Sequence, residues 1–373
     1  MINTLEFYKS IKANGVEFFT GVPDSLLKEF CFCIDENTAK SNHIINSNEG
    51  ASIGLAIGYN LSTNKIPLVY FQNSGLGNII NPYTSLVHKS VFNIPALFFI
   101  GWRGEPGMKD EPQHFFQGKI TKDLLNLLEI NFEVLKLETN EAIHQLKNVV
   151  EKINSSSQPH AILVRKDTFS KYNYKKVSNF SNLHREECID LILIKLNKKD
   201  IVISTTGKTS RELYELSSKN KNTNPKFYTI GGMGHSSQIA LGLSNFSSRR
   251  VFCLDGDGSI IMHMGSLGII GDNSSGNLCH VLFNNGTHES VGGQPSIGNK
   301  IDFKKLSISL GYSSYYVIDN LEKLSEFFEK IEDTFNGPCF VEIKIESYSR
   351  ADLGRPKESP KEQKENFSKL YNL

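Results

Sequence analysis

The 373-residue chain contains no run of 18 apolar residues, so it offers no candidate membrane span. Its charge is unbiased: 41 Lys and Arg stand against 40 Asp and Glu, which leaves nothing to draw it to nucleic acid or to anionic lipid. The six cysteines, at 31, 33, 188, 253, 279 and 339, form no C-x-x-C pair. Most fall in apolar runs and read as small buried hydrophobes in a reducing compartment. The opening MINTLEFYKSIKANG has an amphipathic helical pattern without a signal-peptide apolar stretch, so the expected location is cytoplasmic. There is no low-complexity tract and no short-period repeat. Two common ligand loops are also missing. An EF-hand starting at Asp255 would need Gly and Glu where Ile260 and Ser266 stand. A Walker A loop around Gly207-Lys208-Thr209 would need a glycine where Val202 stands.

What the chain does have is apolar content for real cores, 39% of its residues, and length for two domains. Strand-like runs at 16–20, 43–46, 66–71, 94–100 and 161–165 alternate with helical patterns near 3–13, 24–34, 49–60, 76–90, 119–128 and 140–153. That alternation predicts a parallel sheet covered on both faces. The polar stretch KYNYKKVSNFS interrupts it, which gives a first domain at 1–170, a linker at 171–184 and a second domain at 185–373. Strands at 201–205, 227–230, 251–254, 279–283 and 339–345 repeat the theme, with helices near 185–197, 208–217, 234–244, 259–270, 303–310 and 320–333. The fold class is therefore α/β, two doubly wound, mostly parallel-sheet domains. The charged end from Ser349 onward is expected to be an extended arm or a short helix.

The richest chemistry lies in 251–287. The apolar strand VFCLD runs into Gly256-Asp257-Gly258-Ser259, then an apolar helix, then the strand CHVLF, which ends in Asn284-Asn285-Gly286-Thr287. Asp257 and Asn285 thus follow two strands, where open α/β sheets bind their ligands. Gly256 and Gly258 permit a tight turn and close approach. Ser259 opens a helix whose free N–H groups favour phosphate oxygens. The Asp257 carboxylate, the Asn285 side-chain carbonyl and the Thr287 backbone carbonyl form an oxygen set suited to a hard cation such as Mg²⁺. A plain Asp-Gly turn is the alternative.

This arrangement resembles the GDG…NN motif of thiamine-diphosphate (ThDP) enzymes. With the remaining loops, the chain resembles their 2-oxoacid decarboxylases, in the phosphonopyruvate and sulfopyruvate decarboxylase branch. The resemblance implies an aminopyrimidine-binding domain first, a diphosphate-binding domain second, and no middle domain. It implies ThDP and Mg²⁺ as cofactors, with Asp257, Asn285 and Thr287 on the metal. Glu49, in SNEGASIGLAIGYNL, takes the place of the glutamate against the aminopyrimidine nitrogen, where acid–base work is needed; alone, it would read as a helix-dipole partner. Asp24, in Gly21-Val22-Pro23-Asp24-Ser25, matches the acidic residue of the family's GVP loop, and it equally reads as a helix cap. The turn Asn73–Asn78 resembles the family's SGPG-type turn.

The Gly/Pro-rich stretch 101–119, expected as a long loop, carries the sole Trp and His114. His114 is a candidate for substrate-side proton handling or a surface structural His. Pyruvate decarboxylase has acid-rich and paired-His signatures; only Asp24 and His114 stand in comparable loops here. In the second domain, Thr206 and Gly207 offer backbone N–H groups to the diphosphate. Gly232 and Met233 match the loop that props the cofactor, although a Met there also suits ordinary packing. His288, with Glu289 and Ser290, would roof the thiazolium.

The implied reaction is non-oxidative decarboxylation of a 2-oxoacid with an anionic tail, phosphonopyruvate to phosphonoacetaldehyde and CO₂. Arg103, Lys109, Lys119 and Lys208, with Arg211, are the cations available to that tail. The implied partner is a second copy, Glu49 of one chain completing the site of Asp257 in another. Sulfopyruvate decarboxylation, a carboligating ThDP transferase and a non-catalytic nucleotide-binding α/β protein are the alternatives.

Overall fold

The computed structural model describes residues 1–174 and 181–372. The chain divides into two compact units, Met1–Lys176 and Val177–Leu373. Residues 175–180 of the expected linker lie outside the described residues.

In the first unit, strands β1 (Phe19–Gly21), β2 (His43–Ile45), β3 (Leu68–Gln72), β4 (Leu97–Gly101), β5 (Asn131–Val134) and β6 (His160–Val164) form one parallel sheet in the order β2-β1-β3-β4-β6-β5. The helices are α1 (Thr4–Ala13), α2 (Lys28–Asn37), α3 (Glu49–Thr63), α4 (Leu76–Pro82), α5 (Pro112–Leu127) and α6 (Thr139–Ser156). Side chains alternate across the strands. Tyr70, Phe99 and Ile162 pack with α1, α2 and α6, whereas Phe71, Phe98 and Leu163 pack with α3, α4 and α5. Burial on both faces explains why these strands read as continuous apolar runs.

The second unit repeats the plan. Strands β7 (Ile201–Ser204), β8 (Lys226–Tyr228), β9 (Val251–Gly256) and β10 (Leu278–Asn284) are followed by a small antiparallel hairpin, β11 (Thr287–His288) with β12 (Gln294–Pro295), then by β13 (Ser314–Ile318) and β14 (Cys339–Lys344). The six longer strands form a parallel sheet in the order β13-β14-β10-β9-β7-β8. Its helices are α7 (Arg185–Lys195), α8 (Lys208–Lys219), α9 (Ser236–Asn245), α10 (Asp257–Met262), α11 (Ser266–Asn273), α12 (Phe303–Ser309), α13 (Leu321–Thr334) and α14 (Pro360–Tyr371). Counted within each unit and leaving out the hairpin, both sheets have the strand order 2-1-3-4-6-5. All six cysteines are free and buried. Among the described residues no helix is long and apolar enough to cross a membrane.

Three expectations are corrected. Each sheet has a fifth strand, β5 or β13, that periodicity missed. Both are partly exposed edge strands: β5 has only four residues with Glu133 among them, and β13 leaves Val317 exposed. The loop expected over 101–119 ends at Glu111, because Pro112 starts α5 in the position where a missing N–H costs nothing. Gly118 lies inside that helix, and a Cβ there would overlap the Gly104 carbonyl. The helix expected at 259–270 is two helices, broken at 263–265.

Candidate active site

In the first unit the candidate residues follow the ends of β1, β2 and β4. Asn48 caps α3 by accepting the Ala51 N–H at 2.9 Å, which places Glu49 in the first helical turn. Glu49 is only 5% exposed. Its Oε2 accepts a hydrogen bond from Asn78 Nδ2 at 2.6 Å. Burial raises its pKa, and the Asn78 bond opposes that rise. Gly75 lies against the carboxyl group: a Cβ there would stand 2.5 Å from Glu49 Cδ. The Asn73–Asn78 turn therefore serves as the wall of Glu49, a role its sequence alone did not carry.

Asp24 is fully enclosed. Its Oδ2 accepts the N–H groups of Leu26 (2.8 Å) and Leu27 (3.2 Å), and its Oδ1 accepts Gln72 Nε2 at 2.8 Å. Burial raises its pKa against these bonds and the nearby Arg103 charge. These bonds close the turn that leads into α2, whose cap position is Leu27 and has no side-chain cap bond, so Asp24 does not fill the capping role. Arg103 is half-buried and committed to Asp110, with Nε donating to Oδ2 at 2.8 Å; its Nη1 donates to Ser25 Oγ at 2.9 Å. Lys109 and Lys119 are exposed. His114 sits in the first turn of α5, half-buried, with Nδ1 buried and without a hydrogen-bond partner among the described residues. Burial, then the Arg103 charge, lowers its pKa, so the ring is held neutral.

In the second unit, β9 and β10 are parallel neighbours with Gly256 opposite Phe283. Asp257 and the Asn284-Asn285 pair therefore leave the sheet side by side. Asp257 is 3% exposed, and burial pushes its pKa up to about 6, although the Ser296 hydroxyl donates to its Oδ2. Asn285 and Thr287 are buried as well. Asn285 Oδ1 accepts the Thr287 N–H at 3.0 Å. Thr287 lies opposite Pro295 in the hairpin, and the neighbouring bond from Ser296 N–H to the Gly286 carbonyl at 2.9 Å makes this a non-hydrogen-bonded pair, so the Thr287 carbonyl faces away from β12. The donors present are a buried carboxylate lacking a cationic partner at bonding distance among the described residues, an amide oxygen and a peptide oxygen. That set fits a hard divalent cation that also takes phosphate oxygens.

Three loops meet above this sheet. Ser259 Oγ accepts from Thr205 Oγ1 (3.0 Å) and from the Gly234 N–H (3.1 Å), which joins the ends of β7, β8 and β9. Gly207 has φ +89°, a conformation side chains rarely adopt, and it starts α8 beside half-buried Thr206. Gly232, at φ +60°, is exposed and Met233 half-buried between β8 and α9. His288 lies against Gly258, whose Cβ position is 3.1 Å from His288 Nδ1; desolvation holds the His288 pKa down to about 4. Lys208 is half-buried and donates to Ser349 Oγ, and burial lowers its pKa. Arg211 is taken up by the carbonyls of Leu353 and Gly354, at 2.6 Å for the latter, so it holds the C-terminal arm.

Residues that sequence reasoning left unassigned hold these groups. They are Asn78 for Glu49, Gln72 for Asp24 and Ser296 for Asp257. Asp255 steadies the turn by accepting the Gly256 N–H at 2.9 Å and the Ser236 hydroxyl at 3.2 Å.

Comparison with known proteins finds a match within each unit. Residues 6–127 match the thiamine pyrophosphate enzyme N-terminal TPP binding domain, and residues 205–343 match the C-terminal TPP binding domain. A phosphonopyruvate decarboxylase of Streptomyces viridochromogenes is 32% identical over 97% of this chain and 93% of its own length. One of Streptomyces hygroscopicus is 31% identical over 97% and 92%. The sulfopyruvate decarboxylase subunit beta of Methanothermobacter thermautotrophicus is 35% identical over 44% of this chain and 82% of its own.

Proposed function

The chain belongs to the thiamine pyrophosphate enzymes, among the ThDP-dependent decarboxylases, and from that premise we propose that it decarboxylates phosphonopyruvate to phosphonoacetaldehyde, with Mg²⁺ joining ThDP to the protein. Thiamine diphosphate, when bound, supplies the electron sink that lets a 2-oxoacid lose CO₂. The protein's part is orientation and electrostatics.

The observation that carries the proposal is the buried Asp257 carboxylate beside Asn285, at the ends of two adjacent parallel strands. Asp257, Asn285 and Thr287 would hold Mg²⁺. The backbone of Thr206, Gly207, Gly256, Gly258 and Ser259 would receive the diphosphate. Met233 and Gly232 would support the cofactor's bend, with His288 above it. Glu49 would hold and share a proton at the aminopyrimidine ring nitrogen. Its burial favours the protonated form, and Asn78 fixes its orientation. His114, neutral and with a free Nδ1, would handle the proton on the substrate side, and Asp24 would shape that loop.

Similarity to two phosphonopyruvate decarboxylases over nearly the whole chain supports the anionic tail. Among the candidate cations, the half-buried Arg103 and Lys208 suit that tail better than the exposed Lys109 and Lys119. Sulfopyruvate is the second reading, supported by the sulfopyruvate decarboxylase subunit among the relatives. The working assembly would be a homo-oligomer in which Glu49 of one chain serves Asp257 of another.

The test is a CO₂-release assay with ThDP and Mg²⁺ on phosphonopyruvate, sulfopyruvate and pyruvate. Phosphonopyruvate should give the highest kcat/KM. Equal values on all three would overturn the substrate assignment and leave the cofactor untouched.

A further inference from the structure

We propose that Glu289, itself held by Arg185, is a positioning residue that fixes which end of the Asn285 carboxamide faces the cation. The proposal rests on the assignment of Asp257, Asn285 and Thr287 as the ligand set.

A carboxamide has two ends of nearly equal shape, and only one of them can ligate a metal. A half-turn about its last bond would present an NH₂ group to the cation. Neighbours prevent this when one can only donate and the other can only accept. The Thr287 N–H can only donate, and it meets Asn285 Oδ1 at 3.0 Å. The Glu289 carboxylate can only accept, and its Oε2 meets Asn285 Nδ2 at 3.1 Å. The amide is thereby held from both ends.

Glu289 is held in turn. The same Oε2 accepts Arg185 Nη1 at 2.8 Å. Arg185 is 5% exposed, and its other edge grips Glu212 twice, Nε to Oε2 at 2.7 Å and Nη2 to Oε1 at 2.9 Å. A buried guanidinium clamped in this bidentate way cannot swing aside. The chain from Glu212 through Arg185 and Glu289 to Asn285 carries two carboxylates and one guanidinium. It therefore places negative charge behind a site that would receive a cation. Glu289 Oε1 is buried with no hydrogen-bond partner among the described residues, so acceptor capacity remains for a bound ligand. Outer partners of this kind commonly change metal affinity by about 10–100-fold when removed.

The alternative is a merely structural ion cluster tying α7, α8 and the hairpin together. The two differ in how residues 285 and 289 couple. Mg²⁺ affinity is measured calorimetrically at saturating ThDP on the full chain, for wild type, Asn285→Ala, Glu289→Gln, Asn285→Asp and the double variant Asn285→Asp/Glu289→Gln. In the wild-type background Glu289→Gln should weaken Mg²⁺ binding at least tenfold. In the Asn285→Asp background both ends of the side chain are oxygen and no orientation has to be fixed, so the same Glu289→Gln change should weaken binding far less. That loss of effect is expected only if Glu289 acts by orienting the Asn285 carboxamide. Equal effects of Glu289→Gln in both backgrounds overturn the proposal, whatever the change in thermal stability. An Asn285→Ala variant that binds Mg²⁺ like wild type would show instead that the ligand assignment itself fails.

Discussion

Gly298 offers a sharp test of how Asp257 is held. It opens a single turn, Gly298–Lys300, that folds over the carboxylate. A Cβ at this position would stand 2.6 Å from Asp257 Oδ2 and 2.8 Å from Asn284 Oδ1. Relaxed contacts between non-bonded heavy atoms fall at about 3.5 Å or more. Asn284 cannot easily yield, because its Nδ2 is tied to Glu342 Oε1 at 2.8 Å and its Oδ1 accepts the Gly286 N–H at 3.2 Å. Gly298→Ala must therefore displace Asp257 or the turn itself. Overpacking of this kind costs about 1–3 kcal/mol. Loss of a well-placed ligand should weaken joint Mg²⁺–ThDP binding by about 10–100-fold, or about 1.4–2.8 kcal/mol. Calorimetric titration of ThDP at fixed Mg²⁺, with CO₂ release on the same samples, reads both effects. Activity should recover in part at high Mg²⁺. Ser296→Ala, which removes the hydroxyl donor to Asp257 without adding volume, should give a smaller loss. Wild-type affinity and turnover in Gly298→Ala would show that Asp257 does not anchor the cofactor from this position.

Three further outcomes are expected. Glu49→Gln should bind ThDP and Mg²⁺ but lose about 10²–10⁴-fold in turnover, the usual reach of positioned acid–base catalysis, and should unfold no lower than wild type because an amide has no ionised form to bury; CO₂ release and thermal unfolding check both. His160, 5% exposed at the start of β6, has its pKa lowered by burial to about 4, against about 6.5 when unfolded. The unfolded chain then binds more protons between those values, so this stability is present above pH about 6.5 and is lost as pH falls toward 4, by about 2–3 kcal/mol. Urea midpoints at pH 7 and 4.5 should show a shallower difference in His160→Asn, and an unchanged difference would refute the assignment. ThDP at about 100 times its Kd with Mg²⁺ should stabilise the protein by about 2.7 kcal/mol; a chelator that leaves that gain intact would remove Mg²⁺ from the site.

Signals that act over a few residues were legible in the sequence. A strand followed at once by Gly-Asp-Gly-Ser, or by Asn-Asn-Gly-Thr, declares both the turn and the donor, so Asp257, Asn285 and Thr287 could be named together. The groups that hold them were not legible, because pairing across long separations leaves no periodic trace. Arg185 is 104 positions from Glu289 and 27 from Glu212. Gly75 gives no hint in sequence that it lies against Glu49. Asp24 shows a related limit: an acid after a strand reads equally as a cap or as a reactant, and its enclosed bonds to Leu26, Leu27 and Gln72 instead fix the turn ahead of α2, whose cap position is Leu27.

The duplicated strand order has a practical corollary. Every ladder of the first sheet closes between Phe19 and Val164, and every ladder of the second between Ile201 and Lys344. A cut in the covalent chain between Tyr174 and Ser181 severs no pair of strands, keeps Phe169 with Ile2 and keeps Arg185 with Glu212 and Glu289. Two separately made polypeptides divided there would each retain all the pairings of one sheet, and remixing them is a direct way to reconstitute the enzyme from halves.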